Sequence, residues 1–192
     1  MSIAGDDLPV QVTHIPGITR VRYTNSTKQD VRLVTAGEDH LVRLLPSEPT
    51  ATDVIPLVME DATQNISWIE ANNKYLVTAS EDGAVRLYQH ALQSEDDPQK
   101  ATSCIRMVRR EVLPVRCVSL ERATESPRAA ICSDELIIRV ASVEDPRQIT
   151  LLTGHTRGVR AASWSPILPL LVSCGSDGDI RVWDMSSSEG SC

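Results

Sequence analysis

Four times along this chain, a short apolar run leads into a turn of small and acidic residues and then into a strict alternation with arginine at its centre. The alternations centre on Arg43, Arg86, Arg139 and Arg181, and the segments 37–45, 80–88, 133–141 and 175–183 align around them without gaps. Side chains on a β-strand point to opposite faces in turn, so a period of two predicts strands and not helices. The turns contain Asp82-Gly83 and Asp177-Gly178, pairs that tolerate the positive φ of a tight hairpin. Apolar runs at 33–35, 76–78, 130–132 and 171–173 supply the strand before each turn. An earlier strand is expected at 20–23, 65–68, 115–118 and 159–162, and 149–152 reads as an outer strand. The expectation is an all-β chain of four units, each a four-stranded antiparallel sheet.

The marker arginines lie 43, 53 and 42 residues apart. A period of this size belongs to the blades of a β-propeller, so the units should stack as a partial propeller of about four blades. The roughly ten extra residues of the long interval fall between Tyr88 and Val112, where 93–100 is polar and acidic and contains Pro98; this is read as a solvated loop between blades. The chain divides into an N-terminal segment 1–13, four repeats over 14–185 with hairpins near 39, 82, 135 and 177, and a Ser-rich tail 186–192 expected to fray. Residues 10–13 are suited to serve as the outer strand of a closing blade. Four units read as part of a larger ring, and its open ends would leave apolar faces uncovered, so association through those ends is expected.

Composition narrows the function. The net charge is −7 and the pI about 5.1, which disfavours a whole-protein grip on nucleic acid and leaves only a local patch for such contact. There is no Phe, so the strand cores must rely on aliphatic residues with a few Trp and Tyr anchors. Cys104, Cys117, Cys132, Cys174 and Cys192 include no Cys-x-x-Cys pair and read as free thiols, with no metal site. Residues 1–9 lack the apolar stretch of a secretory signal and no run approaches membrane-spanning length, so an intracellular, soluble protein without membrane contact is expected. Gly-x-Ser-x-Gly, Walker, Gly-x-Gly-x-x-Gly and His-Glu-x-x-His patterns are lacking, so no catalytic residue, cofactor or small-molecule substrate is expected. Asp177 and Asp179 flank a glycine as in some calcium loops, but the further oxygen ligands do not follow and a hairpin turn is preferred. Arg106, Arg109, Arg110 and Arg116 form a candidate nucleic-acid patch, weighed against strands that simply point arginines at solvent.

Gly154-His155, Asp177-Gly178 and Trp183-Asp184 in the fourth unit resemble the WD repeat. The resemblance implies a structural hydrogen-bond chain through His155, Ser173, Asp177 and Trp183, and a scaffold that binds proteins. The other units depart from it: Leu45, Tyr88 and Ala141 stand in the Trp183 position, Glu135 in the Asp177 position and Ile131 where a hydroxyl would complete the chain. Leu113-Pro114-Val115-Arg116, 131–136, 151–155, 174–178 and 35–39 are similar to the N-terminal propeller of the replisome adaptor family, the chromosome transmission fidelity and acidic nucleoplasmic DNA-binding proteins. That resemblance implies a nuclear protein acting in DNA replication, with replisome components as partners and a chromatin or DNA contact. The alternative is a generic WD-repeat scaffold such as a ubiquitin-ligase substrate receptor, a role for which Trp183-Asp184-Met185-Ser186 lacks the usual arginine.

Overall fold

The structure, a computed structural model, describes residues 17–23, 32–46, 57–72, 75–89, 106–121, 126–145 and 147–186. Alternation produces strands throughout, and among the described residues there is no helix. The first sheet holds β1 (Ile18–Tyr23), β2 (Arg32–Gly37), β3 (Val42–Pro46) and β4 (Leu57–Met59). The second holds β5 (Ile66–Ala71), β6 (Tyr75–Ser80), β7 (Ala84–Gln89) and β8 (Arg106–Arg110), and the third β9 (Val115–Leu120), β10 (Arg128–Ser133), β11 (Ile137–Ser142) and β12 (Ile149–Thr153). The fourth holds β13 (Val159–Trp164), β14 (Leu170–Gly175) and β15 (Ile180–Asp184). Every strand pairs antiparallel with its sequence neighbour, so each sheet is a simple meander.

The sheets stand side by side as four blades. Strand β5 packs against both β1 and β9, and β9 against β13, so the first strand of each blade belongs to one inner row. Burial follows from this stacking. One core of Val34, Leu44, Ile66, Ile69 and Leu76 fills the space between blades 1 and 2, and a second of Val77, Leu87, Val118 and Ile131 lies between blades 2 and 3. A third, with Trp164, Leu171 and Trp183, joins blades 3 and 4. Each blade thus buries its apolar faces only against its neighbours, as in other repeat folds.

Several expectations change on this scaffold. The stretch between Tyr88 and Val112, read as a loop, contains β8, in which only Met107 and Val108 are apolar among three arginines. An outer strand needs no apolar alternation of its own, because a single partner strand supplies its ladder. The short strand β4 was hidden for the same reason. The fourth sheet has three strands among the described residues, not four. The proposed closing strand at 10–13 and the tail beyond 186 lie outside the described residues. Blade 4 turns Leu171, Ser173 and Trp183 toward blade 3, while Val172, Ile180 and Val182 on its other face are exposed.

The hairpin turns of blades 1, 2 and 4 repeat one conformation. His40, Gly83 and Gly178 occupy the same repeat position with φ of 66°, 82° and 86°. Asp39, Asp82 and Asp177 each accept the backbone N–H two residues on, at 3.2, 2.9 and 3.2 Å. At Gly83 a methyl group would also fall 2.3 Å from the carbonyl oxygen of Glu111, whereas at Gly178 it would meet nothing within 4 Å. Gly178→Ala should therefore cost about 1–2 kcal/mol from the left-handed backbone alone. Gly83→Ala should cost clearly more, because the β8–β9 connection must also move. Urea unfolding of the two variants measures the difference, and equal midpoints would refute the clash.

Candidate functional site

In blade 4 four side chains from two strands, a connection and a turn meet in a continuous relay. His155, in the connection between β12 and β13, places Nδ1 2.8 Å from Asp177 Oδ2 and Nε2 2.8 Å from Ser173 Oγ. Trp183 on β15 donates its indole N–H to Ser173 Oγ at 2.8 Å. The donor inventory fixes the direction of the whole relay. The carboxylate can only accept, so Nδ1 carries the hydrogen donated to it; in the neutral ring Nε2 then accepts from the Ser173 hydroxyl, whose oxygen accepts from the indole. Gly175 permits the approach, since a Cβ there would sit 2.7 Å from Asp177 Oδ1 and 2.8 Å from His155 Nδ1.

Serine, histidine and aspartate in this order have the connectivity of a hydrolytic triad. The geometry turns it inward. A nucleophilic hydroxyl must face a substrate carbonyl, whereas Ser173 is 2% exposed and its oxygen is capped by the indole. The Asp177 side chain is likewise 3% exposed. Its burial pushes the carboxyl up, but hydrogen bonds from the Thr156 amide, the His155 ring and the Asp179 amide outweigh that and hold it well below the usual carboxylate range. What the arrangement can do chemically is tie the turn, the inter-blade connection and β15 into one buried unit.

The other blades meet the same turn carboxylate differently. Asp39, Asp82 and Glu135 each pair with the marker arginine four residues on, at 2.7 Å to Arg43, 2.7 Å to Arg86 and 2.6 Å to Arg139. In blade 4 the histidine takes the carboxylate, and Arg181 pairs instead with Asp179 at 3.1 Å. For Asp82, burial again pushes the carboxyl up, and Arg86 with the Ala84 and Thr63 amides hold it well below its ordinary value. Thr78, at the Ser173 position of blade 2, is buried with its hydroxyl unpartnered among the described residues, where no histidine or tryptophan reaches it.

A second polar group, not anticipated from sequence, links three blades at the hairpin end. Asp134 accepts from Arg116 Nη2 at 2.6 Å and Nε at 3.0 Å, and from Arg160 Nη1 at 3.2 Å. Arg116 also reaches Glu81 of blade 2 at 3.5 Å, and Arg160 donates to Ser176 at 2.7 Å. The Arg116 hydrogen bond draws the Asp134 carboxyl below its ordinary value. Of the candidate basic patch, Arg116 is therefore bound to acids. The side chains of Arg106, Arg109 and Arg110 lie outside the described residues, and their strand β8 is the outer edge of blade 2 while Arg116 is on the inner strand of blade 3. Among the described residues no group of three or more His, Cys, Asp or Glu is placed to hold a metal ion, and no helix is long and apolar enough to cross a membrane.

Comparison with known proteins agrees with this arrangement. Residues 61–89 and 146–184 match the family model "WD domain, G-beta repeat". Human striatin-4 is 32% identical over 128 residues, covering 61% of this chain, and the chain spans 17% of the length of that protein. The Xenopus laevis WD repeat and HMG-box DNA-binding protein 1 is 35% identical over 63 residues, 33% of this chain and 6% of that protein. A crystal structure of the computationally designed Ika4 protein superposes with a TM-score of 0.66 at 15% identity, covering 91% of this chain and 94% of its own.

The relay predicts opposite effects in two blades. Trp183→Phe removes the donor that caps Ser173 and should destabilise by about 1–3 kcal/mol, whereas Thr78→Val removes an orphaned hydroxyl and should be neutral or stabilising. Denaturant melts of both variants test this, and a destabilised Thr78→Val would contradict it. The turn carboxylates of Asp82 and Asp177 also set a pH dependence. Their folded-state pKa values are depressed, so their contribution is complete above about pH 4 and is lost as pH falls from there. Asp177→Asn should flatten the fall in melting temperature below pH 4, and an unchanged slope would show that the carboxylate is not coupled to folding. With two segments similar to the WD repeat and four antiparallel meanders stacked side by side, the chain has the fold of a partial WD-repeat β-propeller of about four blades.

Proposed function

We propose that this chain is a non-enzymatic scaffold that binds other proteins. The observation that carries the reading is the inward orientation of its most reactive constellation: Ser173, His155 and Asp177 are consumed by each other and by Trp183, and the hydroxyl is shut from solvent. A rigid frame with exposed loops is what a binding platform requires.

The finer reading is a nuclear chromatin or replisome adaptor acting in DNA replication, with replisome components as partners. It is supported by the motifs similar to the replisome adaptors and by the 35% identity to a protein whose name includes a DNA-binding HMG box. That support covers 33% of the chain. Striatin-4 matches more of it and carries a different name, so a generic WD-repeat scaffold, for instance a substrate receptor, is the alternative. The blade 4 strand ends in Trp183-Asp184-Met185-Ser186 without the receptor-type arginine, which favours the adaptor.

Two measurements separate these readings. Affinity purification of the tagged chain from S-phase chromatin should enrich replicative helicase and DNA polymerase alpha; enrichment of cullin-linked ligase subunits in their place would favour the receptor. Fluorescence anisotropy with duplex DNA should show an affinity that falls with salt and is lost in Arg109→Glu with Arg110→Glu. Unchanged binding in that double variant would remove the basic patch from the proposal.

A further inference from the structure

Cys117 on β9 and Cys132 on β10 are direct cross-strand partners, and both thiols are fully buried in the core between blades 3 and 4. Opposed residues of an antiparallel pair hold their Cα atoms about 4.5–5.5 Å apart with both side chains on one face. A disulfide spans Cα separations of about 4.4–6.8 Å, so the register places the pair within the span of a disulfide. The Cys117 thiol donates to the Ala162 carbonyl of blade 4, Sγ to oxygen 3.7 Å. Ala162 in turn lines a cavity of about 540 Å³ together with Arg22, Trp68 and Ser119, one residue from each of the other three inner strands. The thiol pair therefore lies one hydrogen-bonded neighbour behind the wall of an axial cavity large enough to admit small solutes.

The two sulfurs are not equivalent. The hydrogen bond from Cys132 draws the Cys117 thiol below its ordinary value, against the opposing effect of burial. The same hydrogen bond and burial push Cys132 well above it. The Glu70 charge opposes the Cys117 thiolate, and Arg20, whose guanidinium lies 4.5 Å from the Trp68 ring, offsets part of that. Thiolate character decides which cysteine attacks an oxidant first.

We propose that Cys117 and Cys132 are a redox pair that closes to a cross-strand disulfide when a peroxide enters by the axial cavity. Cys117 releases its proton and attacks one peroxide oxygen; the O–O bond breaks, Cys117 becomes a sulfenic acid and hydroxide leaves. That hydroxide takes the proton of Cys132, giving water. The Cys132 thiolate then attacks the Cys117 sulfur, the S–O bond breaks, and the departing hydroxide combines with the proton first released. Two electrons pass from the thiols to one peroxide, and two waters form. Closure also withdraws the hydrogen that Ala162 accepts, so oxidation is transmitted to the seam between blades 3 and 4.

The test uses the full chain, treated with hydrogen peroxide under native conditions, alkylated and digested with trypsin without reduction. Cleavage after Arg116, Arg122, Arg128 and Arg139 places the two cysteines in peptides 117–122 and 129–139. The expected result is one species joining these peptides, which reduction separates, while the exposed Cys174 stays largely alkylatable. In Cys132→Ala the sulfenic acid on Cys117 should persist and be captured by dimedone. Recovery of both cysteines as alkylated thiols while Cys174 is oxidised would overturn the proposal, and so would a disulfide from either of them to Cys174. The wild-type peptide map decides the matter even where the alanine variant folds poorly.

Discussion

A carboxylate placed at the tip of a hairpin and then covered by the next blade must be met by donors, or it destabilises the turn it was meant to hold. This requirement organises the whole chain. Blades 1 to 3 meet it with an arginine on the following strand, four residues on, so that turn and strand are locked within one blade. Blade 4 meets it with His155, which enters from the preceding connection and continues through Ser173 to Trp183. The first solution centres on the hairpin pair, to which the preceding connection adds Thr63 at Asp82 and Glu111 at Arg139. The second ties a hairpin to the segment that leads in from its neighbour, and it does so with residues that share the connectivity of a hydrolytic triad.

The seams between blades differ in a related way. Between blades 3 and 4, Trp164 donates its indole N–H to the Ser119 carbonyl at 3.1 Å and the Arg128 guanidinium lies 4.9 Å from the Trp164 ring. Arg128 also bonds Glu121 at 2.8 Å and the Met185 carbonyl at 3.2 Å. Between blades 1 and 2, aliphatic packing is joined by Arg20 and Arg22, at 4.5 and 5.4 Å from the Trp68 ring. Polar anchoring is concentrated where the tryptophans are. With three of them in the chain and no Phe, aromatic groups mark joints and aliphatic residues fill the volume between them.

Much of the fold was legible because alternation and hairpin chemistry are local. The inner and middle strands of every blade fall where apolar alternation and a small-acidic turn coincide. The outer strands β4 and β8 were not legible, since an edge strand takes its register from a neighbour and shows little pattern of its own. At the site, His155, Ser173, Asp177 and Trp183 were found by resemblance to a motif. The Asp–Arg pairs were present in the sequence as a four-residue spacing, but spacing alone does not say whether a carboxylate chooses the arginine or a histidine. Arg116 read as a surface base because its partner, Asp134, lies across a sheet, 18 residues away in sequence.

One small feature bears on how such a chain is assembled. Thr19 and Ser67 hold the same position on the inner strands of blades 1 and 2, and each hydroxyl reaches forward to the carbonyl that opens the next blade: Ile66 at 2.7 Å and Val115 at 2.6 Å. A hydroxyl has a single hydrogen, and the next blade's carbonyl is the nearer of two acceptors, Ala36 and Ala79 of the hydroxyls' own blades lying at 3.1 Å; that nearer acceptor emerges later from the ribosome. Vectorial synthesis, which completes N-terminal units first, thus presents every latch before its catch. The order of translation and the order of docking coincide, and an earlier blade waits only for the one that follows it.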